Sequence, residues 1–454
     1  MIYRDLYKYL VKWKDLSNRM PMILRGARQV GKTTLVDEFG KLFDHYLYFN
    51  LERKSDYDLF DNIDDLQVTV QLLFLARRKV VTEEESVLIF VDEVQEKPEV
   101  LEALRYFYED YGHIHIITTG SLLEFALEKI KKVPVGRVEY AELHPMSFRE
   151  YLYGSEDTLL LKEYDTVPIN NAILPLLMKS FHDYTMIGGM PLVVSTFIES
   201  QFQVAPLFRI YASILESYKT DVEKYARNNA DKEVIRHIME TAPDEVDNRI
   251  KLNNFGNSTF STYQVKNALY ALSKARILEL TYPTTETEPP ATRNKRKAPR
   301  LNYLDVGLLN YQLELHQELL GIKDLNDSSR GRLVQQIVYQ ELKSKNVLPG
   351  KSLAFWVREE SGTSSEVDIV FPYKYMLIPI EIKSGATGRL RSLHEYMDRC
   401  DHDVAVRMYA GKLSIDKLKS RKGKEYRLLN LPYALCGKLT EYLDWLMDHP
   451  IATL

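Results

Sequence analysis

The chain has 454 residues, more than one hydrophobic core usually organises, so about three domains are expected. Its composition, 45% hydrophobic and 27% charged, is that of an ordinary folded protein, and a net charge of −4 excludes a uniformly basic nucleic-acid coat, leaving only local patches for that role. Two cysteines, Cys400 and Cys436, exclude zinc fingers and a disulfide framework and fit a reducing cytoplasm; Met1-Ile2-Tyr3-Arg4-Asp5 begins no signal peptide, and no apolar run nears the ~18 residues of a membrane span.

Across Tyr3 to Leu16, the residues Leu6, Tyr9, Leu10 and Trp13 recur at helical spacing and predict a helix packed on the core. Met22-Ile23-Leu24 predicts a strand, and Leu35, Val36 and Phe39 a helix. Between them runs Gly26-Ala27-Arg28-Gln29-Val30-Gly31-Lys32-Thr33-Thr34. Strand, glycine loop and helix are the context in which G-x-x-x-x-G-K-[ST] reads as a phosphate-binding loop. Gly26 and Gly31 permit a tight turn that aims backbone N–H groups at phosphate oxygens, and the helix adds its positive dipole end. Lys32 is expected to reach the β- and γ-phosphates of ATP, and the Thr33 hydroxyl to ligate Mg²⁺.

Tyr46-Leu47-Tyr48-Phe49-Asn50-Leu51 reads as an aromatic strand and residues 63–78 as a helix. Val87-Leu88-Ile89-Phe90-Val91 is a strand buried on both faces, ending in Asp92-Glu93. Ligands of open α/β sheets bind beyond the carboxyl ends of the strands, so both carboxylates are expected to face the nucleotide. Asp92 is placed to hold Mg²⁺, directly or through water, and Glu93 to polarise the attacking water as general base. A helix around Leu101, Leu104, Phe107 and Tyr108 leads to a strand at 113–118 and then Thr119-Gly120-Ser121. Thr119 and Ser121 are candidates to contact the γ-phosphate or the water; Ser121 is equally a candidate helix N-cap. Gly136-Arg137 opens a fifth strand, 138–143. Arg137 reads either as a finger on transition-state charge, in cis or from a neighbouring subunit, or as a structural salt bridge.

The Walker A run, Val87 to Glu93, Thr119-Gly120-Ser121, Gly136-Arg137 and Leu143-His144-Pro145-Met146-Ser147-Phe148-Arg149-Glu150-Tyr151 together resemble the AAA-type ATPases of bacteria and archaea. More narrowly, they resemble the branch carrying a winged helix and a restriction-endonuclease-like C-terminal domain. That resemblance implies ATP hydrolysis, and an extra strand between the phosphate-loop strand and the Asp-Glu strand. The expected fold class is therefore α/β: a P-loop NTPase parallel sheet, then a helical and winged-helix region, then an α/β restriction-endonuclease-like domain. The expected boundaries are 1–150 for the ATPase core, 151–234 for a helical lid, 235–315 for the winged helix and 316–454 for the last domain.

Residues 150–230 are helical in pattern, broken at Ile187-Gly188-Gly189-Met190-Pro191, where the resembling family has a Gly-Gly-x-Pro turn. Helices at 235–241 and 262–274, a strand at 277–282, a Pro/Thr-rich tip at 283–290 and a return strand at 299–305 read as a winged helix. The wing carries Arg293, Lys295, Arg296, Lys297 and Arg300, five cations in eight positions. They read as contacts to a nucleic-acid backbone, double-stranded DNA in this account, or as a solvated loop.

In the last domain a helix from Gly331 to Leu342 precedes strands at Phe355-Trp356-Val357-Arg358, Glu366 to Phe371 and Leu377 to Gly385. Asp368 followed by Glu381-x-Lys383 is the carboxylate pattern of the restriction-endonuclease-like fold, supported by the flanking Glu366-Val367 and Ile382-Lys383-Ser384-Gly385. Positions i and i+2 of a strand share a face, so Glu381 and Lys383 are expected side by side, with Asp368 on the paired strand. Asp368 and Glu381 are expected to bind Mg²⁺ and Lys383 to orient the water. The resembling family carries a Glu in the preceding helix where this chain has Gln335, which weakens metal binding. Three functions stay open: an ATP-driven machine on DNA; a nucleotide-dependent switch or scaffold that binds a protein partner, or a further copy of itself, with the nuclease-like site inactive; or an ATP-regulated nuclease, which needs Asp368, Glu381 and Lys383 around one metal.

Overall fold

The computed structural model describes residues 3–449 except 83, 131–135, 317–330, 351, 361–362 and 384–389; Ser384 and Gly385 of the C-terminal motif thus lie outside the described residues. The chain forms two compact units. The first is Met1–His144 with Lys274–Arg276 and Asn346–Gly350, and the second is Pro145–Ser273, Ile277–Lys345 and Lys351–Leu454.

The first unit is built on five parallel strands: β1 (Met22–Arg25), β2 (His45–Asn50), β3 (Val87–Asp92), β4 (Ile114–Thr119) and β5 (Glu139–Glu142), in the order β2-β3-β4-β1-β5. The apolar run of β3 is buried along its whole length between β2 and β4, as a strand covered on both faces requires. β4 lies between the phosphate-loop strand β1 and the Asp-Glu strand β3, the strand order that the resemblance implied. Leu47, Phe49, Ile89, Val91, Leu101, Leu104 and Phe107 belong to one buried core between sheet and helices. The N-terminal helix Leu6–Lys14 buries Leu6, Leu10 and Trp13, and Arg4 just before it donates to the Val30 carbonyl at 2.6 Å, which braces the glycine loop from behind.

The second unit begins with a capping box: the Ser147 hydroxyl accepts the Glu150 N–H, and the Glu150 carboxylate accepts the Ser147 N–H. Helices Phe148–Gly154, Thr158–Asp165, Leu174–Ile187, Pro191–Glu199 and Leu207–Glu223 follow. The Gly188-Gly189 turn is there because nothing larger fits. A Cβ on Gly188 would stand 2.2 Å from Asp305 Oδ1, and one on Gly189 2.2 Å from the Met146 carbonyl. Asp305 is buried there and accepts the Gly189 N–H at 2.6 Å.

Helices Asn229–Thr241 and Thr262–Lys274 precede β6 (Leu278–Thr281), β7 (Pro283–Thr284) and β8 (Arg300–Tyr303). β6 and β8 pair antiparallel as the expected hairpin. The tip, expected as a loop, instead docks: β7 pairs with β9 (Ala354–Glu360), and Trp356 Nε1 donates to the Thr285 carbonyl at 3.1 Å. The hairpin thereby joins a seven-stranded mixed sheet with β10 (Thr363–Tyr373), β11 (Met376–Ile382), β12 (Val404–Tyr409), β13 (Ser414–Lys419) and β14 (Glu425–Pro432). Among the described residues no helix is long and apolar enough to cross a membrane.

Candidate functional site

β1 ends at Arg25 and the chain enters the glycine loop at once. Gly26 has φ 155°, and a Cβ on it would stand 2.4 Å from the Leu143 carbonyl oxygen. Gly31, at φ 92° and ψ 26°, caps the helix Lys32–Gly40 in the left-handed region, and Gln29 also takes a positive φ of 63°. Gly26→Ala is therefore expected to cost about 1–3 kcal/mol by overpacking against fixed backbone. The thermal midpoint checks this, and an unchanged midpoint would mean that the loop has room to give. Around the turn, Ala27 and Val30 are buried, Arg28 is half-buried, and Gln29 and Thr34 are exposed.

The Lys32 side chain folds into the loop and donates to the carbonyls of Gly26 and Ala27, both at 2.9 Å. Burial lowers its pKa to about 8; the carboxylates of Glu93 and Asp92 oppose that fall, while Arg276 and Arg28 add to it. At neutral pH a cation thus sits buried against carbonyl dipoles at the start of a helix, an arrangement that favours an anion.

Asp92 gathers the neighbouring hydroxyls. Thr33 Oγ1 donates to its Oδ2 at 2.8 Å, the Thr119 hydroxyl donates to its Oδ1, and the Glu93 N–H donates to Oδ1 at 3.0 Å. The Tyr48 hydroxyl reaches Oδ2 at 3.5 Å. A carboxylate beside a hydroxyl is a hard-oxygen donor pair, which fits Mg²⁺, an ion usually held by one or two protein carboxylates together with substrate phosphates and waters. Just past β3 the backbone turns left-handed at Glu93, φ 53° and ψ 44°. Glu93 Oε2 accepts from Gln95 Nε2 at 2.7 Å and from the Ser121 N–H and hydroxyl, each at 3.3 Å. Ser121 thus directs its hydroxyl to Glu93; the helix Leu123–Lys129 is preceded by Leu122 and has no side-chain cap.

Arg137, read as a finger in cis or in trans or as a structural salt bridge, lies away from the glycine loop of its own chain. β5 runs parallel to β1, with Met22 beside Glu139 and Arg25 beside Glu142. Arg137 therefore stands at the amino ends of the strands, while the glycine loop leaves from their carboxyl ends. Its guanidinium pairs with Glu109 at 2.5 Å, the salt-bridge alternative. At the carboxyl edge stand Arg25 and Arg276 instead. Arg276 pairs with Glu142 and, at 3.1 Å, with Glu124; Arg25 pairs with Glu124 at 3.4 Å. Sequence reasoning missed Arg276 and Gln95, since no motif marks either, and Arg276 meets Glu142 across 134 residues of chain.

Residues 18–152 match the AAA domain family. That stretch is similar to AAA-type P-loop domains. Residues 178–319 and 330–427 match two domains of unknown function. An uncharacterised protein of Methanocaldococcus jannaschii is 25% identical over 209 residues; the match spans 42% of this chain and 42% of that protein's length. Among solved structures, a Walker-type ATPase of Pyrococcus abyssi is 15% identical with a TM-score of 0.43, covering 69% of this chain and 96% of its own. The Aeropyrum pernix ORC1 protein in complex with DNA is 11% identical with a TM-score of 0.31, covering 68% of this chain and 90% of its own. Both structural likenesses are loose, and the AAA assignment rests on the family match and the loop geometry.

Beyond the AAA domain, the C-terminal residues singled out in the sequence do meet in the second unit. Lys383, one position past β11, donates to Glu381 Oε1 at 2.5 Å, and Asp368 Oδ2 accepts the Ile382 N–H at 2.8 Å. Gln335 Nε2 donates to Asp368 Oδ1 at 3.3 Å. Burial, then the Asp368 carboxylate, raises Glu381 to about 7, against the lowering by Lys383 and Arg300. Burial also raises nearby Asp247 to about 7, opposed by Arg300. Among the described residues no cluster of three His, Cys, Asp or Glu side chains is arranged to hold a metal ion. Of the five cations read as nucleic-acid contacts, Arg293, Lys295, Arg296 and Lys297 are exposed, and Arg293 also donates to the Ser352 carbonyl at 2.8 Å. Arg300 is corrected: its side chain is only 13% exposed and turns inward to Glu366 and Asp368.

Proposed function

We propose that the AAA domain binds and hydrolyses Mg·ATP and that this cycle drives a second unit that contacts double-stranded DNA. The observation that carries the hydrolytic reading is the convergence on one sheet edge of a buried Lys32, the Thr33–Asp92 pair and a Glu93 held by Ser121 and Gln95. In this reading Lys32 and the helix N-terminus neutralise the β- and γ-phosphates. Thr33 and Asp92 hold Mg²⁺, which when bound draws charge from the phosphate oxygens. Glu93 takes the proton of the attacking water, and Ser121 and Gln95 keep its carboxylate aimed.

Lys32 must keep its proton to meet phosphate. In the free protein that proton leaves as pH rises through about 8, whereas phosphate in the complex holds it in place. Nucleotide affinity is therefore expected to be level below that pH and to fall above it by up to about tenfold per unit. Titration of a fluorescent ATP analogue across this range checks the sign; affinity that stays level well above the transition would place the binding charge elsewhere.

The DNA reading is supported by the exposed Arg293, Lys295, Arg296 and Lys297 between β7 and β8. If they track phosphates, replacing Lys295, Arg296 and Lys297 by glutamate should weaken DNA binding at every sequence. The slope of log affinity against log salt should also become shallower by about one for each phosphate that is no longer neutralised. The second reading, a nucleotide-dependent switch that holds a protein partner, is favoured by the inward turn of Arg300 at the nuclease-like cluster. ATP turnover indifferent to DNA, with no DNA binding at low salt, selects it.

A further inference from the structure

The restriction-endonuclease resemblance calls for a divalent ion between Asp368 and Glu381, and the residues present do not fit one. The Arg300 guanidinium sits against the Asp368 side of this cluster. It pairs with Asp368 Oδ1 at 3.4 Å, with Asp247 Oδ1 at 3.6 Å and with Glu366, and it donates to Gln335 Oε1 at 3.2 Å. The Phe355 ring lies beside it, its centroid 4.9 Å from the guanidinium carbon. Both oxygens of Asp368 are already committed: Oδ1 to Arg300 and Gln335, Oδ2 to the Ile382 N–H. Glu381 Oε1 is taken by Lys383. Among the described side chains of Asp368 and Glu381, Glu381 Oε2 alone is buried without a partner, so a divalent ion would have to displace Arg300, Gln335 or Lys383 to reach a second carboxylate oxygen.

The cavity bordered by Arg300, Asp247, Gln335 and Asp368, which Glu381 does not line, measures about 20 Å³, room for roughly one water on the Arg300 side of Asp368. Gln335 stands where the resembling family has a carboxylate, which removes one of the charges that would attract a metal.

We infer that Arg300 is the resident cation of this cluster, standing in for the divalent ion, so that the carboxylates hold β8 onto β10 and the domain does not cleave nucleic acid. The inference goes beyond the ATPase reading and does not depend on it, because it concerns the second unit alone.

The test is Mn²⁺ binding to the nucleotide-free full chain, followed by electron paramagnetic resonance, for wild type, Asp368→Asn, Arg300→Ala and the Arg300→Ala/Asp368→Asn double variant. Wild type and Asp368→Asn are expected to bind equal amounts of Mn²⁺, any ion at Asp92 being common to both. Arg300→Ala is expected to gain a site that the double variant lacks, and to gain thermal stability on adding Mn²⁺ where wild type gains none through Asp368. A wild-type Mn²⁺ site that disappears in Asp368→Asn overturns the inference, as does Mg²⁺-dependent DNA cleavage that disappears in that variant. A folded Arg300→Ala that gains no site overturns the role given to Arg300. Should Arg300→Ala fail to fold, the comparison of wild type with Asp368→Asn, or with Glu381→Gln, still decides.

Discussion

Lys32→Ala is expected to lower ATP affinity and turnover by at least about 100-fold, the scale of removing one preorganised charge from a phosphoryl-transfer site. Lys32 is the buried full cation of the glycine loop, and its ammonium lies between two carbonyls 2.9 Å away. Without it, those carbonyls would face the phosphates and repel them. The loss should not come from misfolding. Burial holds the Lys32 pKa below its ordinary value, so the charged form costs the folded state free energy at neutral pH, and that cost is relieved as pH rises through about 8. Alanine removes the cost, so the thermal midpoint of Lys32→Ala should stay close to wild type. Affinity retained in a folded Lys32→Ala would mean that the loop is a turn and not a phosphate site.

Glu93→Gln should separate binding from chemistry. The amide keeps an oxygen for the Ser121 N–H and hydroxyl, so the strand end should hold its shape. It cannot take a proton from water. Turnover is expected to fall by about 10²–10⁴ while ATP stays bound. Filter binding with labelled ATP, alongside phosphate release, reads both quantities. Turnover at the wild-type rate would remove Glu93 from the role of base.

Much of the AAA domain is legible in the sequence because its signals are local. The buried apolar run 87–91 and the glycine spacing of 26–33 each need only a short window. The position of β4 between β1 and β3 is a long-range pairing, and only the resemblance carried it. Arg137 shows a subtler gap. Its proximity to β5 is visible in sequence, but its edge follows from the parallel register with β1, which places it at the amino ends of the strands. Arg276 has no local signal at all and enters the edge beside Glu142 through tertiary packing alone.

The second unit shows the same limit on charge. Five cations in the wing read alike in sequence, yet four lie in the loop between β7 and β8 while Arg300 begins β8 and faces β10. Composition cannot separate them; strand register does. The prolines and threonines at the tip of the hairpin read as a loop, yet the tip pairs with β9 because the edge of the large sheet offers unpaired backbone groups.

The most direct test of the account is phosphate release from ATP by the purified wild-type chain, with Mg²⁺ and with the ion chelated. Release is expected to require Mg²⁺ and to disappear in Lys32→Ala. ATP bound through Lys32 but never hydrolysed in the presence of Mg²⁺, or release that continues undiminished in Lys32→Ala, would contradict it.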